Sequence, residues 1–286
     1  MNLSANSLFH FTNNIDAIKS ILNDKFYGSY CKEVLYHKDE KLPLFIPMIS
    51  FCDTRLETIY RFPKYGKYGL GLSKNWGIKN KLNPVFYLEK QSLLASSLIK
   101  SFYSAFVSVM TDQQQIDQIS QKIKRINELG HRDNFSKQQI VTKLKKDLII
   151  LKSKAGTLEH LVYSLYYTKH YQADLERENE ITENYRFYDE REWRYMPEFE
   201  CAVCQLRITE DEYLEWRGSG EKKPLLPKIN LSFAFTDVEY IIVEKENEIK
   251  EMIEHIKQIN VDKCDQEQKE RLLTKITSYE KIENDY

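Results

Sequence analysis

The 286-residue chain carries 42 Lys and Arg against 43 Asp and Glu, and a formal net charge of −1 excludes coating of nucleic acid through bulk charge. At 42% hydrophobic and 30% charged, it has the make-up of a globular protein with a sizeable core rather than of a disordered chain. Nine glycines and no GxGxxG or P-loop run argue against the phosphate-cradling loops of common nucleotide-binding folds. The five cysteines (Cys31, Cys52, Cys201, Cys204, Cys264) are odd in number and irregularly spaced, as in a reducing compartment. No basic-then-apolar leader opens the chain, and residues 93–110 are too polar to cross a bilayer. A cytoplasmic, soluble protein is expected, with no membrane contact.

In chain order, residues 7–12 read as a short strand, and Asn13 or Asn14 caps a helix through Ile15, Ile18, Ile21 and Leu22. Residues 48–52 form a buried strand after Pro43 and Pro47. Residues 65–74 hold three glycines within seven positions, which predicts a turn and a strand where a backbone or ligand approaches closely. Another short strand is expected at 84–88.

From residue 92 to about 171 no proline occurs. Leu93, Leu94, Leu98, Phe102, Phe106 and Met110 recur at helical spacing, as do Ile116, Ile119, Ile123, Ile126 and Leu129, then Ile140, Leu144 and Leu148. The charges of this helical block read as solvated faces rather than as a nucleic-acid surface. Strands resume at 192–196, 201–208, 228–235 and 239–243, followed by a helix at 246–259. The expected architecture is α+β: a mixed, mostly antiparallel sheet with a helical insertion. The divisions are 1–91 and 173–260 as two halves of one domain, 92–172 as the insertion, and 261–286 as a charged tail.

Two segments carry the chemistry. Alternation puts Leu8, His10 and Thr12 on one face of the first strand, and Phe9 and Phe11 on the other. If the phenylalanines fill the core, His10 and Thr12 share the opposite face, where they either border a cleft and suit hydrogen bonding to a sugar, or His10 simply bonds a neighbouring carbonyl. In residues 187–195, Glu190, Glu192 and Arg194 share one strand face. There they are either a carboxylate pair held among aromatics, suited to an oxocarbenium-like centre, or an exposed strand with cross-strand ion pairs. Tyr65 or Tyr68 is placed to stack on a flat ring. The Cys201–Cys204 pair has no matching CxxC or His pair, so no metal is expected. His160, Lys169 and His170 read as packing residues.

The chain resembles the AbiGi family of bacterial abortive-infection proteins. The likeness rests on SLFHFT at residues 7–12, IPMISFCD at 46–53, YGKYGLGLSKNWGI at 65–78, NPV at 83–85 and residues 187–195. Members are labelled as the antitoxin half of a two-gene system. More distantly, an early His with a hydroxyl two positions on, a glycine-tyrosine strand and a late Glu-x-Glu resemble ADP-ribosyltransferases, DarT-like enzymes among them. That likeness implies an ADP-ribosyltransferase-like sheet and NAD as substrate. His10, Thr12, Ser50, Tyr65 and Tyr68 would hold NAD, Glu192 would be the catalytic carboxylate, and Glu190 would activate the nucleophile. The main expectation is then transfer of ADP-ribose to a protein or nucleic-acid acceptor, such as a phage or host target. The alternative is a non-catalytic antitoxin that neutralises a partner toxin by contact.

Overall fold

A computed structural model describes residues 5–37, 40–61, 63–128, 134–177, 180–197, 208–220 and 224–285. In chain order, β1 (Ser7–Thr12) leads into α1 (Ile15–Asn23), whose N-cap is Asn14: its side chain accepts from the Ala17 backbone N–H. Then come β2 (Phe26–His37), β3 (Glu40–Cys52), β4 (Tyr68–Ser73), α2 (Lys74–Lys79), β5 (Asn83–Pro84) and β6 (Phe86–Leu88). Two long helices follow, α3 (Leu93–Glu128) and α4 (Asn134–Tyr166). After them run β7 (Thr168–His170), β8 (Ala173–Arg177), β9 (Glu180–Tyr185), β10 (Glu192–Tyr195), α5 (Glu210–Arg217), β11 (Leu226–Leu231), β12 (Val238–Val243), α6 (Ile249–Gln258), α7 (Gln266–Leu273), β13 (Ile276–Ser278) and α8 (Tyr279–Asp285).

The chain divides into two compact units. The first comprises Met1–Leu35, Lys41–Tyr87 and Lys169–Tyr286. Its sheet runs β11-β2-β3-β1-β4-β12-β13, with β10 paired to both β3 and β5. β1 lies antiparallel to β4 from Ser7↔Ser73 to Thr12↔Tyr68, and β12 pairs antiparallel with β4 but parallel with β13. The sheet is therefore mixed and mostly antiparallel, and the protein is α+β.

Both faces of this sheet are covered. On one face Leu8, Phe51, Leu70, Leu72, Ile241 and Val243 pack with Ile18 and Leu22 of α1, Trp76 of α2, Met252 and Ile256 of α6, and Leu272 of α7. On the other, Phe9 and Ile242 pack with Ile59, Tyr279 and Ile282. Phe9 of β1 fills a core with Phe11 packed against it, but Leu8 on the His10 face is core as well, and His10 and Thr12 are half-buried.

The glycines of β4 make this possible. A Cβ at Gly71 would lie 2.8 Å from Phe9 Cε1, and one at Gly69 would lie 3.1 Å from the Phe11 ring. The close approach expected of this strand is thus an aromatic ring laid on bare backbone. Gly66 serves a different need: it sits at φ 103°, and a Cβ there would fall 1.9 Å from the Thr12 carbonyl oxygen.

Several elements depart from the sequence reading. The strand expected at 228–235 ends at Leu231, because the chain turns into a short 3-10 segment, Phe235–Asp237. The charged tail is largely helical, with α7 and α8 on either side of β13, which extends the sheet, and Tyr279 and Ile282 are buried. The β8–β9 hairpin and α5, the latter closed by a Thr209/Glu212 capping box, were not anticipated. The strand expected at 201–208, with Cys201 and Cys204, lies outside the described residues except for Ile208.

The second unit comprises Tyr36–Glu40 and Leu88–Thr168. Its two long helices pack on each other. Ile116, Ile119, Ile123 and Ile126 are the half-buried positions along that stretch of α3, and Val141, Leu144, Leu148 and Leu151 form the matching stripe of α4. In the first turns of α3 the buried positions are Ala95 and Ile99, one residue on from the expected Leu94 and Leu98, and Leu94 is exposed. Among the described residues no helix is long and apolar enough to cross a membrane.

Substituting the glycines separates these causes. Gly66→Ala is expected to cost more than Gly218→Ala, where φ is 59° but nothing lies within 4 Å of the new Cβ. The second change should cost about 1–3 kcal/mol from backbone strain alone. Equal losses in urea denaturation would contradict the clash with Thr12.

Candidate functional site

The site begins at β10. Its residues alternate, with Glu192 and Arg194 buried on one face while Trp193 and Tyr195 pack against the core on the other. The register with β3 is Glu192↔Cys52, Trp193↔Phe51, Arg194↔Ser50 and Tyr195↔Ile49. Just upstream, residues Phe187–Glu190 make a 3-10 turn, and Arg191 adopts the left-handed conformation at φ 44°. Had residues 190–192 been a continuous strand, the two glutamates would stand about 7 Å apart along it. The turn instead swings Glu190 inward, and both carboxylates reach one ammonium.

That ammonium is Lys169, on β7. Its Nζ donates to Glu190 Oε2 at 3.0 Å and to Glu192 Oε2 at 2.9 Å, and lies 3.5 Å from Glu33 Oε1 on β2. Arg194 meets Glu192 side-on: Nε donates to Oε1 at 2.7 Å and Nη2 to Oε2 at 3.0 Å. Its Nη2 also donates to Glu33 Oε1 at 3.0 Å. The Tyr65 hydroxyl donates to Glu190 Oε1. The backbone N–H of Glu192 donates to the Tyr87 hydroxyl at 2.7 Å. Arg194 is fully buried, and Glu33, with 16% of its side chain exposed, stands at the rim.

Three carboxylates stand against two cations here, with Arg194 fully buried and Lys169, Glu190 and Glu192 nearly so. Burial pushes the Glu190 carboxyl up, against the pull of Lys169. Burial works in the same direction on Glu192, but there Arg194 and Lys169 together overcome it and hold the carboxyl at about 2. The two glutamates are driven in opposite directions although they share a lysine, because only Glu192 has the guanidinium fork. Lys169 is itself desolvated, yet Glu190, Glu192 and Glu33 hold it charged.

The residues expected to act together fall into separate places. Glu190, Glu192 and Tyr65 do converge, and they are buried rather than displayed on an exposed strand. His10 does not join them. Phe9 pairs with Cys52, which pairs with Glu192, so Phe9 shares the Glu192 face and His10 points through the opposite one. There the His10 Nδ1–H donates to the Ser50 carbonyl at 2.9 Å, and the ring packs against Phe26 and Phe51. Burial lowers its pKa, with the Ser50 bond opposing, so the imidazole is neutral at pH 7. Thr12 donates to the Asn14 carbonyl at 3.0 Å. Tyr68 is buried on the His10 side of the sheet, and its hydroxyl donates to Glu248 at 2.8 Å.

Lys169, Glu33 and Tyr87 had no signal in the sequence. Lys169 and Glu192 lie 23 positions apart, and only the fold returns them to each other. Arg194 was legible, two residues from Glu192 on the same strand face. Among the described residues no group of three or more His, Cys, Asp or Glu side chains could hold a metal ion.

An α+β protein with a largely buried ionic centre is the class that this fold and site define. The family described as "Putative abortive phage resistance protein AbiGi, antitoxin" matches residues 24–244, and the chain belongs to that family. It is 26% identical over 268 residues to "Abortive phage resistance protein AbiGi" of Lactococcus lactis subsp. cremoris, an alignment covering 89% of this chain and 95% of that protein. No solved structure matches it.

The opposed shifts of the two glutamates predict opposed pH effects. Glu192 is depressed when folded, so its contribution is full above the unfolded carboxylate value of about 4.3 and fades as pH falls toward 2. Glu190 is raised, so its charged form weighs against folding at neutral pH, and protonation relieves that cost. At pH 8, Glu192→Gln should destabilise by about 3–5 kcal/mol, since Arg194 and Lys169 stay buried with a carboxylate missing. Glu190→Gln should gain on the wild type as pH rises from 4.5 to 8. Parallel thermal-melt profiles for the two variants would refute this assignment.

Proposed function

We propose that the protein works as an antitoxin that neutralises a partner toxin by direct contact, without chemistry at Glu192. The observation that carries this reading is the occupancy of that carboxylate. One oxygen accepts from Arg194 and the other from both Arg194 and Lys169, inside the protein. A carboxylate meant to steady a developing sugar cation needs a free oxygen facing a cleft. The family's antitoxin label favours the same reading. The ADP-ribosyltransferase alternative would require this cluster to open and His10 to act from the other face of the sheet.

A contact surface is present near the cluster. Tyr188 is 46% exposed and Tyr171 39% exposed, and their rings lie 5.2 Å apart. Tyr188 also meets Tyr87 edge-on at 5.3 Å. Tyrosines held this way offer broad amphipathic area with little rotamer freedom left to lose on binding.

Co-expression with the toxin encoded by the neighbouring gene tests the proposal. Wild type, Thr12→Ala and Glu190→Gln should all restore growth and co-purify with the toxin. Tyr188→Ala should weaken the complex by about 1–2 kcal/mol, roughly a five- to thirty-fold loss. NAD should not raise the melting temperature. Label transfer from NAD by the wild type, lost in Glu190→Gln together with growth rescue, would overturn the contact mechanism in favour of ADP-ribosyl transfer.

A further inference from the structure

The helical unit carries a charge imbalance that the whole-chain value conceals. From Lys122 to Lys154 there are ten Lys and Arg against three Asp and Glu, a surplus of seven. With the whole chain at −1, the remaining residues sum to −8. The surplus gathers where α3 ends and α4 begins.

Ordinary solvated helix faces alternate charge sign, so that cations find carboxylates three or four positions away. Here they do not. Lys122, Lys124 and Arg125 of α3, and Lys143, Lys145 and Lys146 of α4, are all exposed. None of the six forms an ion pair with a described residue, although Glu128 and Asp147 lie within four positions of Lys124 and Lys143. On the outer side of α4, Lys143 and Lys146 stand with Gln138, Gln139 and Thr142 around a shallow open depression. Six exposed cations with no ion pair to a described residue thus stand on two packed helices, two of them beside polar hydrogen-bonding groups.

We propose that this end of the helical unit binds the phosphate backbone of duplex nucleic acid. The side chains present decide the ligand class. Protein interfaces enrich aromatic residues and Arg at their centres and deplete Lys. Stretches 115–128 and 137–151 contain five lysines besides Lys137, one arginine and no aromatic residue. Binders of single strands stack bases on aromatic platforms, which these stretches also lack. Lysines spread over two helices serve as point charges for phosphates, giving affinity without sequence readout. The expectation that these charges are only solvated faces is revised on that ground. The proposal does not depend on the antitoxin reading.

The full-length protein would be titrated against fluorescent 30-base-pair DNA and RNA duplexes, and a single strand of equal length, from 50 to 200 mM salt. Binding to a duplex is expected, with four phosphate contacts giving a log–log salt slope of about −3.6 and an affinity loss of about 10²-fold over that range. Lys143→Gln, Lys145→Gln and Lys146→Gln together should flatten the slope by about 3 while helicity by circular dichroism stays unchanged. Charge reversal, with Lys122→Glu, Lys124→Glu and Arg125→Glu added to that triple change, should abolish binding. Comparing the two duplexes tells whether DNA or RNA is preferred. No duplex binding at 50 mM salt, or binding indifferent to the triple change, overturns the proposal. So does preference for the single strand. If the reversal instead breaks only the complex with the co-expressed toxin, the cations face an acidic protein surface and the nucleic-acid assignment is wrong.

Discussion

Arg194 and Lys169 bring two positive charges into the protein interior, and the first unit is organised around answering them. A cation moved out of water carries a large desolvation cost, offset only by close carboxylates in good geometry. Glu192 supplies a side-on fork to Arg194, Glu190 and Glu33 complete the shell, and Tyr65 closes the outer oxygen of Glu190. These groups come from β2, β7, β10, the turn before β10 and the segment before β4. The cluster therefore fastens distant pieces of chain to one point. Apolar packing could supply as much stability, but it would not select partners by charge and direction.

The fastening explains local oddities that look like separate features. Arg191 takes a left-handed backbone at the turn that sets Glu190 and Glu192 on one lysine. Gly66 occupies φ 103° against the Thr12 carbonyl, and the residue before it is Tyr65, whose hydroxyl reaches Glu190. The bare backbone of Gly69 and Gly71 admits the Phe11 and Phe9 rings on the same sheet face that carries Glu192. Read as a string, these residues suggest a ligand-binding glycine loop and a catalytic acid pair. Folded, they are the means by which a charged interior is closed.

That closure bears on function. A buried carboxylate with every oxygen engaged is well suited to holding strands together and poorly suited to meeting a substrate. The surface instead offers exposed tyrosines in ring contact on one unit, and on the other lysines with no ion pair to a described residue.

Much of the framework was legible from residue order. Asn14 before the spaced Ile15, Ile18 and Leu22 announced α1, the alternation of β1 placed Phe9 and His10 on opposite faces, and the isoleucine spacing announced the long helices. Short-range stereochemistry decides these, and it is written in neighbouring residues. The family was legible too, in motifs from residue 7 to residue 195. What sequence order does not contain is which side of a strand meets which distant element. Whether His10 and Glu192 share a pocket depended on the β1–β3–β10 register, and whether Glu192 was free depended on Lys169, 23 positions away, being folded back onto it. A register shift of one residue would have exchanged the faces. Only the assembled sheet fixed that register, and with it brought Glu190 and Glu192 onto Lys169 and left His10 on the opposite face.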